Sequence, residues 1–109
     1  KTGIVLGTPM YMSPEQLNAD PLTGHSDLFS LGVTLYELLV GEAPFQATNI
    51  AVLMTKITTE DPEPLASRRR GIPPAADAIL ARAMAKNPKE RYSCGAEMAE
   101  ALRNCARFA

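Results

Sequence analysis

The run from Asp27 to Gly41, DLFSLGVTLYELLVG, limits the possible folds more than any other stretch of the chain. Nine of the thirteen residues from Leu28 to Val40 are Leu, Val, Phe or Tyr. The polar exceptions, Ser30, Gly32, Thr34 and Glu37, do not gather into one broad solvent face. A helix that is apolar nearly all round has no side to offer water, so burial in a core is expected. It is too short and too polar for a membrane span, which takes about 20 apolar residues. Asp27 is placed to cap this helix or to complement its dipole, and Gly41 to supply a left-handed stop. The run therefore predicts a central helix over 27–40 with everything else packed on it.

A chain of 109 residues suffices for one domain, able to bury roughly two-thirds of its unfolded surface. With net charge −1 and pI ≈ 5.8, there is no electrostatic case for nucleic acid or an anionic membrane. No signal peptide, low-complexity tract or internal repeat is visible, and charged Lys1 before a loop-like stretch reads as a chain entered midway. Cys94 and Cys105, placed on one helix, lie ~16 Å apart along its axis, too far for a disulfide. Free thiols suit a reducing, intracellular setting. With His25 the sole histidine and no Cys-x-x-Cys, a metal site is not expected.

Lys1 to Met12 carries Gly3, Gly7 and Pro9 without helical periodicity and reads as an extended loop. Ser13, Pro14 and Gln16 form the signature of a capping box, predicting a short helix over 14–19 that ends at Asp20-Pro21. PLTGHS, with His25, reads as a surface loop. After the Gly41–Phe45 turn, whose Phe45 is expected to fold back onto the core, Ile50, Leu53, Met54 and Ile57 repeat at helical spacing and predict a helix over 48–59. Val52 falls off that stripe, so part of this helix is expected to show apolar surface. Residues 60–74, with four prolines, Gly71 and Arg68–Arg70, read as an irregular solvated connection, anion or acidic-partner binding being the alternative for the arginines. A helix over 74–86 buries Ala76, Ile79, Leu80, Ala83 and Met84, and Pro88 forces its stop. The last helix, 93–107, starts near Ser93 as N-cap and buries Cys94, Met98, Leu102 and Cys105. No strand pair is evident, and the fold class is all-α.

Four blocks in one order then resemble the protein kinase family. GTPMYMSPE (Gly7–Glu15) resembles the end of an activation segment, with SPE where Ala-Pro-Glu usually stands. SDLFSLG (Ser26–Gly32) resembles the family's Asp-x-Trp-Ser-x-Gly opening of its central helix. GEAPF matches the turn that follows, and NPKERYS (Asn87–Ser93) resembles the Pro-x-x-Arg block before the final helix. Gly7, Thr8 and Tyr11 fit the serine/threonine branch, and SPEQ with Phe29 in place of tryptophan looks like its bacterial members.

The resemblance implies two regions: 1–12, the end of the activation segment and substrate-pocket loop, and 13–109, a helical subdomain of the large lobe. It further implies a parent that transfers phosphate from ATP, with Mg²⁺, to Ser or Thr of protein substrates. The glycine-rich loop, the lysine–glutamate pair, the His-Arg-Asp loop and the Asp-Phe-Gly aspartate are not in these residues. By itself the chain is expected to be inactive, with no catalytic residue and no cofactor of its own. Gly7, Thr8, Pro9 and Tyr11 correspond to the substrate-binding pocket, where Thr8 supports catalysis in the parent. In these residues alone, Thr8 is a plain loop threonine. Thr2 stands where related kinases carry an activating phosphorylation, an exposed terminal threonine being the alternative. Glu15 and Arg91 correspond to a buried ion pair tying the activation segment to the final helices, against two unrelated surface charges. Asp27 corresponds to the acceptor that braces the catalytic loop, or is an ordinary cap.

Packing is the first expectation for Ile50, Leu53, Met54 and Ile57, with docking of a protein partner second. In the family the central helix packs partly on helices that precede this stretch, so bare apolar surface is expected here, and with it a homodimer or exchange of the loop Lys1–Met12 between protomers. The localisation implied is cytoplasmic, any membrane anchor of the parent lying outside this region. Two other classes compete: a stand-alone helical protein-interaction module derived from a kinase, and a generic helical domain binding nucleic acid, which the net charge disfavours.

Overall fold

A computed structural model describes the backbone of residues 8–107 and the side chains of 10–106. The described residues are helical with no strand: a 3₁₀ turn (Thr8–Tyr11), α1 (Pro14–Leu17), α2 (Gly24–Val40), α3 (Ile50–Thr59), α4 (Leu65–Arg68), α5 (Pro74–Ala83), a second 3₁₀ turn (Pro88–Glu90) and α6 (Gly95–Arg107). The all-α expectation is met. Helix α2 lies against α4, α5 and both 3₁₀ turns, α6 backs α5, and α1 and the Thr8–Tyr11 turn rest on α3.

Local chemistry sets the helix ends. The Ser13 N–H donates to Gln16 Oε1 at 2.8 Å and the Gln16 N–H to Ser13 Oγ at 3.3 Å, closing the capping box ahead of Pro14. Gly41 ends α2 at φ 87°, its N–H returned to the Glu37 carbonyl at 2.8 Å. Asn49 accepts the Val52 N–H at 2.9 Å and starts α3.

Several boundaries differ from the sequence expectation. The central helix begins at Gly24, not Asp27, because Thr23 and Ser26 form a capping box of their own, with Thr23 Oγ1 taking the His25 N–H. Asp27 is therefore not the cap; it lies exposed in the first turn, where its charge still complements the dipole. His25 is helical, not a loop residue. Helix α1 stops at Leu17, and Ala19 turns the chain at φ 60°. Helix α3 begins at Ile50, α5 closes at Ala83, and α6 opens at Gly95. Ser93 precedes α6, its N–H and hydroxyl both donating to Glu97 Oε1 at 2.7 and 2.9 Å.

Residues 65–68, expected to be irregular, form a helical turn capped from afar. Asp77 Oδ1 takes the Leu65 N–H at 2.6 Å, a bond no local pattern announces. Two of the three arginines brace the fold rather than hang in solvent. Arg68 pairs with Glu63 at 3.0 Å and donates to the Ala43 carbonyl at 3.1 Å, and Arg69 bonds the Leu39 carbonyl at the end of α2.

The core centres on Phe29, Val33 and Tyr36 of α2, joined by Phe45, Leu53, Ile57, Leu65, Leu80, Ala83, Met84 and Met98. Phe45 folds back as expected, its ring stacked on Phe29 with centroids 6.3 Å apart. Helices α2 and α5 touch at Gly32: a Cβ there would stand 3.0 Å from Met84 Cγ and 3.1 Å from Ala83 Cβ, so a side chain would wedge them apart.

Burial of α2 all round is not met. The domain is only 19 Å thick in its short dimension, about two helix layers, and one face of α2 stays open, leaving Leu38 73% and Leu31 42% exposed. Helix α3 splits likewise: Leu53 and Ile57 are fully buried, while Ile50, Val52 and Met54 face out. On α5, Ile79, Leu80, Ala83 and Met84 are buried and Ala76 partly so. Met98 alone of the α6 set is fully buried; Leu102 and Cys105 are partly covered, and Cys94, just outside the helix, is exposed. Both cysteines are free thiols.

Candidate functional site

The Thr8–Tyr11 turn is fastened to α2 at two points. The Tyr11 hydroxyl donates to Glu37 Oε1 at 2.6 Å, and Ser30 Oγ donates to the Tyr11 carbonyl at 2.6 Å. Ser30 and Glu37 are seven residues apart, two helical turns, so both project from one face of α2. They are two of the polar interruptions of the apolar run, and Tyr11 is what they hold. The hydrogen bond to Glu37, then burial, then the carboxylate charge push the Tyr11 phenol above its usual range. Met10 is buried beneath the turn. The side chains of Thr8 and Pro9, and Thr2 and Gly7 altogether, lie outside the described residues.

Behind the turn sits a charged cluster. Arg91 Nη1 donates to Glu15 Oε2 at 2.7 Å and Nη2 to Oε1 at 2.9 Å, a two-pronged pair whose side chains are 0% and 7% exposed. Ser26 Oγ adds a third bond to Glu15 Oε2 at 2.6 Å. The remaining guanidinium hydrogens go to carbonyls: Ala85 at 2.8 Å, His25 at 2.8 Å and Lys86 at 3.4 Å. The guanidinium also lies over the Phe29 ring, 4.9 Å from its centroid. One residue thus joins α1, the start of α2 and the α5–α6 connection. The described side chains leave no buried polar atom unpartnered.

Burial pushes the Glu15 carboxyl up, but the hydrogen bonds from Arg91 and Ser26 prevail and hold it down to about 2. The folded value lies below the unfolded 4.5, so the unfolded chain takes the proton first. The pair's contribution is complete above about pH 5 and drains away as pH falls toward 2, by about 3 kcal/mol in all. Urea denaturation across that range should show the loss in the wild type and a flatter profile in Glu15→Gln; equal slopes would overturn the assignment.

Sequence reasoning brought Glu15 and Arg91 forward, but it passed over Ser26, Ser30 and Glu37. The signal available was a polar side chain inside an apolar helical run, which needs a partner if it is to be covered. Asp27 meets none of the cluster; it is exposed. No group of three or more His, Cys, Asp or Glu that could hold a metal ion exists among the described residues. None of their helices is long and apolar enough to cross a membrane.

The chain that builds this framework is similar in sequence to known proteins. The chain is 42% identical over 98 residues to the serine/threonine-protein kinase PknB of Mycobacterium tuberculosis, covering 90% of this chain and 16% of that one. It is 42% identical over 108 residues to the serine/threonine-protein kinase PksC of Streptomyces coelicolor, covering 98% and 19%. To the serine/threonine-protein kinase pkn3 of Myxococcus xanthus it is 43% identical over 93 residues, covering 84% and 17%. The chain thus spans less than a fifth of the length of these relatives. Residues 2–104 match the protein kinase domain, and the chain belongs to that family.

Proposed function

We propose that these residues are the substrate-binding half of the large lobe of a bacterial serine/threonine protein kinase acting in cytoplasmic signalling. In that reading, 1–12 form the end of the activation segment and 13–109 the helical subdomain that supports it. Gly7, Thr8, Pro9 and Tyr11 shape the pocket for the acceptor Ser or Thr of a protein substrate, and Thr2 receives an activating phosphate. Asp27, exposed on the first turn of α2, accepts backbone N–H groups from the catalytic loop. Glu15 and Arg91 tie the pocket loop to the final helices. The observation that carries the reading is the double fastening of the Thr8–Tyr11 turn to α2 by Ser30 and Glu37, because phosphoryl transfer rests on positioning and charge neutralisation.

ATP and Mg²⁺ supply the transferred phosphoryl and the counter-charge in the parent. The residues present do not fit that pair: the nucleotide- and metal-binding elements of the family are not among these 109 residues. Alone, the chain is expected neither to bind ATP at micromolar affinity nor to transfer phosphate. In the full parent, Tyr11→Phe and Glu37→Gln should lower kcat/KM toward a protein substrate about ten- to a hundredfold while the melting temperature stays within a few degrees. Unchanged turnover in both variants would remove the positioning role, and transfer to tyrosine instead of Ser or Thr would remove the assignment itself.

A second reading, a stand-alone helical interaction module derived from a kinase, is favoured by one observation. Ile50, Val52 and Met54 of α3 and Leu31 and Leu38 of α2 are exposed apolar side chains on a small domain. Such a module is expected to self-associate through the open face of α2 or by exchange of the loop Lys1–Met12. Light scattering reporting a monomer at high concentration would count against it.

A further inference from the structure

Lys86 lies in the connection between α5 and the Pro88–Glu90 turn, yet its ammonium works on another element. Nζ donates to the Ile57 carbonyl at 2.7 Å and reaches the Lys56 carbonyl at 3.5 Å, both in the last turn of α3. The Lys56 carbonyl already accepts the Glu60 N–H, whereas Ile57 lies among the terminal carbonyls that a helix leaves without an internal partner. Nζ also stands 4.4 Å from the Phe45 ring centroid and 5.9 Å from that of Phe29. A single cation therefore latches the end of α3 onto the α5–α6 half of the domain.

The seam holding this amine opens on two sides. One cleft, about 410 Å³, runs between the α1–α2 loop and the Pro88–Glu90 turn, and its lining includes Asp20, His25, Lys86 and Lys89 as well as Glu15. The other lies between the α3–α4 connection and α5, past Asp61, Ala85 and Glu90. Lys86 lines both clefts and is only half-buried, so a small reagent has two sides from which to approach it. Burial pulls the Lys86 amine down most, the Asp61 carboxylate pulls it up, Arg91 opposes it and Glu60 favours it, leaving it at about 8. Glu15, across the first cleft, is already neutralised by Arg91. At pH 7.5 about a quarter of such amines are uncharged, against about one in a thousand for an ordinary lysine.

We propose that Lys86 is an N-acylation site whose modification unlatches the C-terminal end of α3. The donor class is a small acyl phosphate such as acetyl phosphate, whose phosphate Lys89, on the wall of the same cleft, is placed to receive. The Nζ lone pair attacks the carbonyl carbon, the C–N bond forms as the C–O bond to phosphate breaks, phosphate leaves with that electron pair, and the surplus amine proton passes to water. The amide product carries no charge and a single N–H. It loses the attraction to the Phe45 ring and cannot keep both carbonyl contacts. Helix α3, with Ile50, Val52 and Met54 outward, then keeps its packed face and the Lys56 bond to the Gln46 carbonyl at 2.7 Å, but no tie to the α5–α6 connection through Lys86.

Acetyl phosphate added to the folded protein, followed by peptide mass spectrometry at Lys56, Lys86 and Lys89, tests the chemistry. Lys86 should acquire the acetyl group at least about fivefold faster than Lys89 at pH 7.5, with a rate that levels off above about pH 8.5. A Lys86 rate equal to or below that of Lys89, or one climbing through pH 10, overturns the site. Amide hydrogen exchange tests the latch. Residues 57–60 should exchange about tenfold faster in the acetylated protein and in Lys86→Gln, and at the wild-type rate in Lys86→Arg. Unchanged exchange in the acetylated protein overturns the latch even where acylation occurs.

Discussion

Replacing Arg91 with alanine should remove about 3–5 kcal/mol of folding stability, because it strands the largely buried Glu15 carboxylate without its counter-charge. The guanidinium makes two bonds to Glu15 and further bonds to the carbonyls of Ala85, His25 and Lys86, so alanine also leaves those carbonyls short of a donor. For a domain of this size each kcal/mol moves the melting temperature by about 4–8 °C, and a fall of more than about 12 °C is expected. Arg91→Lys should recover only part of it, since an ammonium cannot bond both carboxylate oxygens and the carbonyls from one point. Glu15→Ala/Arg91→Ala should cost less than the sum of the two single variants, by about 1–3 kcal/mol, because each single change leaves the other member unpaired. An Arg91→Ala melting temperature within a degree or two of wild type would show that the pair does not hold the helices together.

The same pair shows what was legible in the sequence and what was not. Capping boxes, prolines and the i, i+3, i+4, i+7 repeat are local rules, and they located five helices to within a few residues. What they missed is non-local. Helix α4 exists because Asp77, twelve residues on, takes its leading N–H, and arginines that look like a solvated run are drawn to the carbonyls of Ala43 and Leu39. The start of α2 was misplaced for a different reason: Asp27 is a good cap residue, but Thr23 with Ser26 closes a box one turn earlier. No periodicity connects residues 76 apart, so Glu15 and Arg91 came into view only through resemblance to a family. The complete burial expected of α2 from its composition failed, because an apolar run states that a helix needs cover, not that these residues supply it on every side. The open face with Leu31 and Leu38 is the bare apolar surface that the family resemblance led one to expect. Ser30 and Glu37 looked like defects in that run and are the grips on the Thr8–Tyr11 turn.

Phe29→Ala is expected to match the arginine variant in size while acting by another mechanism. The ring is fully buried, stacks on Phe45, and lies beneath the Arg91 guanidinium at 4.9 Å and the Lys86 ammonium at 5.9 Å. Truncation opens a cavity between α2, the turn of Phe45 and the α5–α6 connection, costing about 3–5 kcal/mol. It also takes away the π-face shared by a fully buried guanidinium and a half-buried ammonium, each such contact being worth about 0.5–2 kcal/mol. Because Phe29 and Arg91 touch, their losses should not add, and the double variant should fall short of the sum. Leu38→Ala, on the same helix but 73% exposed, serves as the control and should stay within about 0.5 kcal/mol of wild type. If Phe29→Ala melted no lower than Leu38→Ala, the ring would not be the keystone on which the guanidinium, the ammonium and the turn of Phe45 rest. The apolar run of α2 would then be a scaffold only in composition.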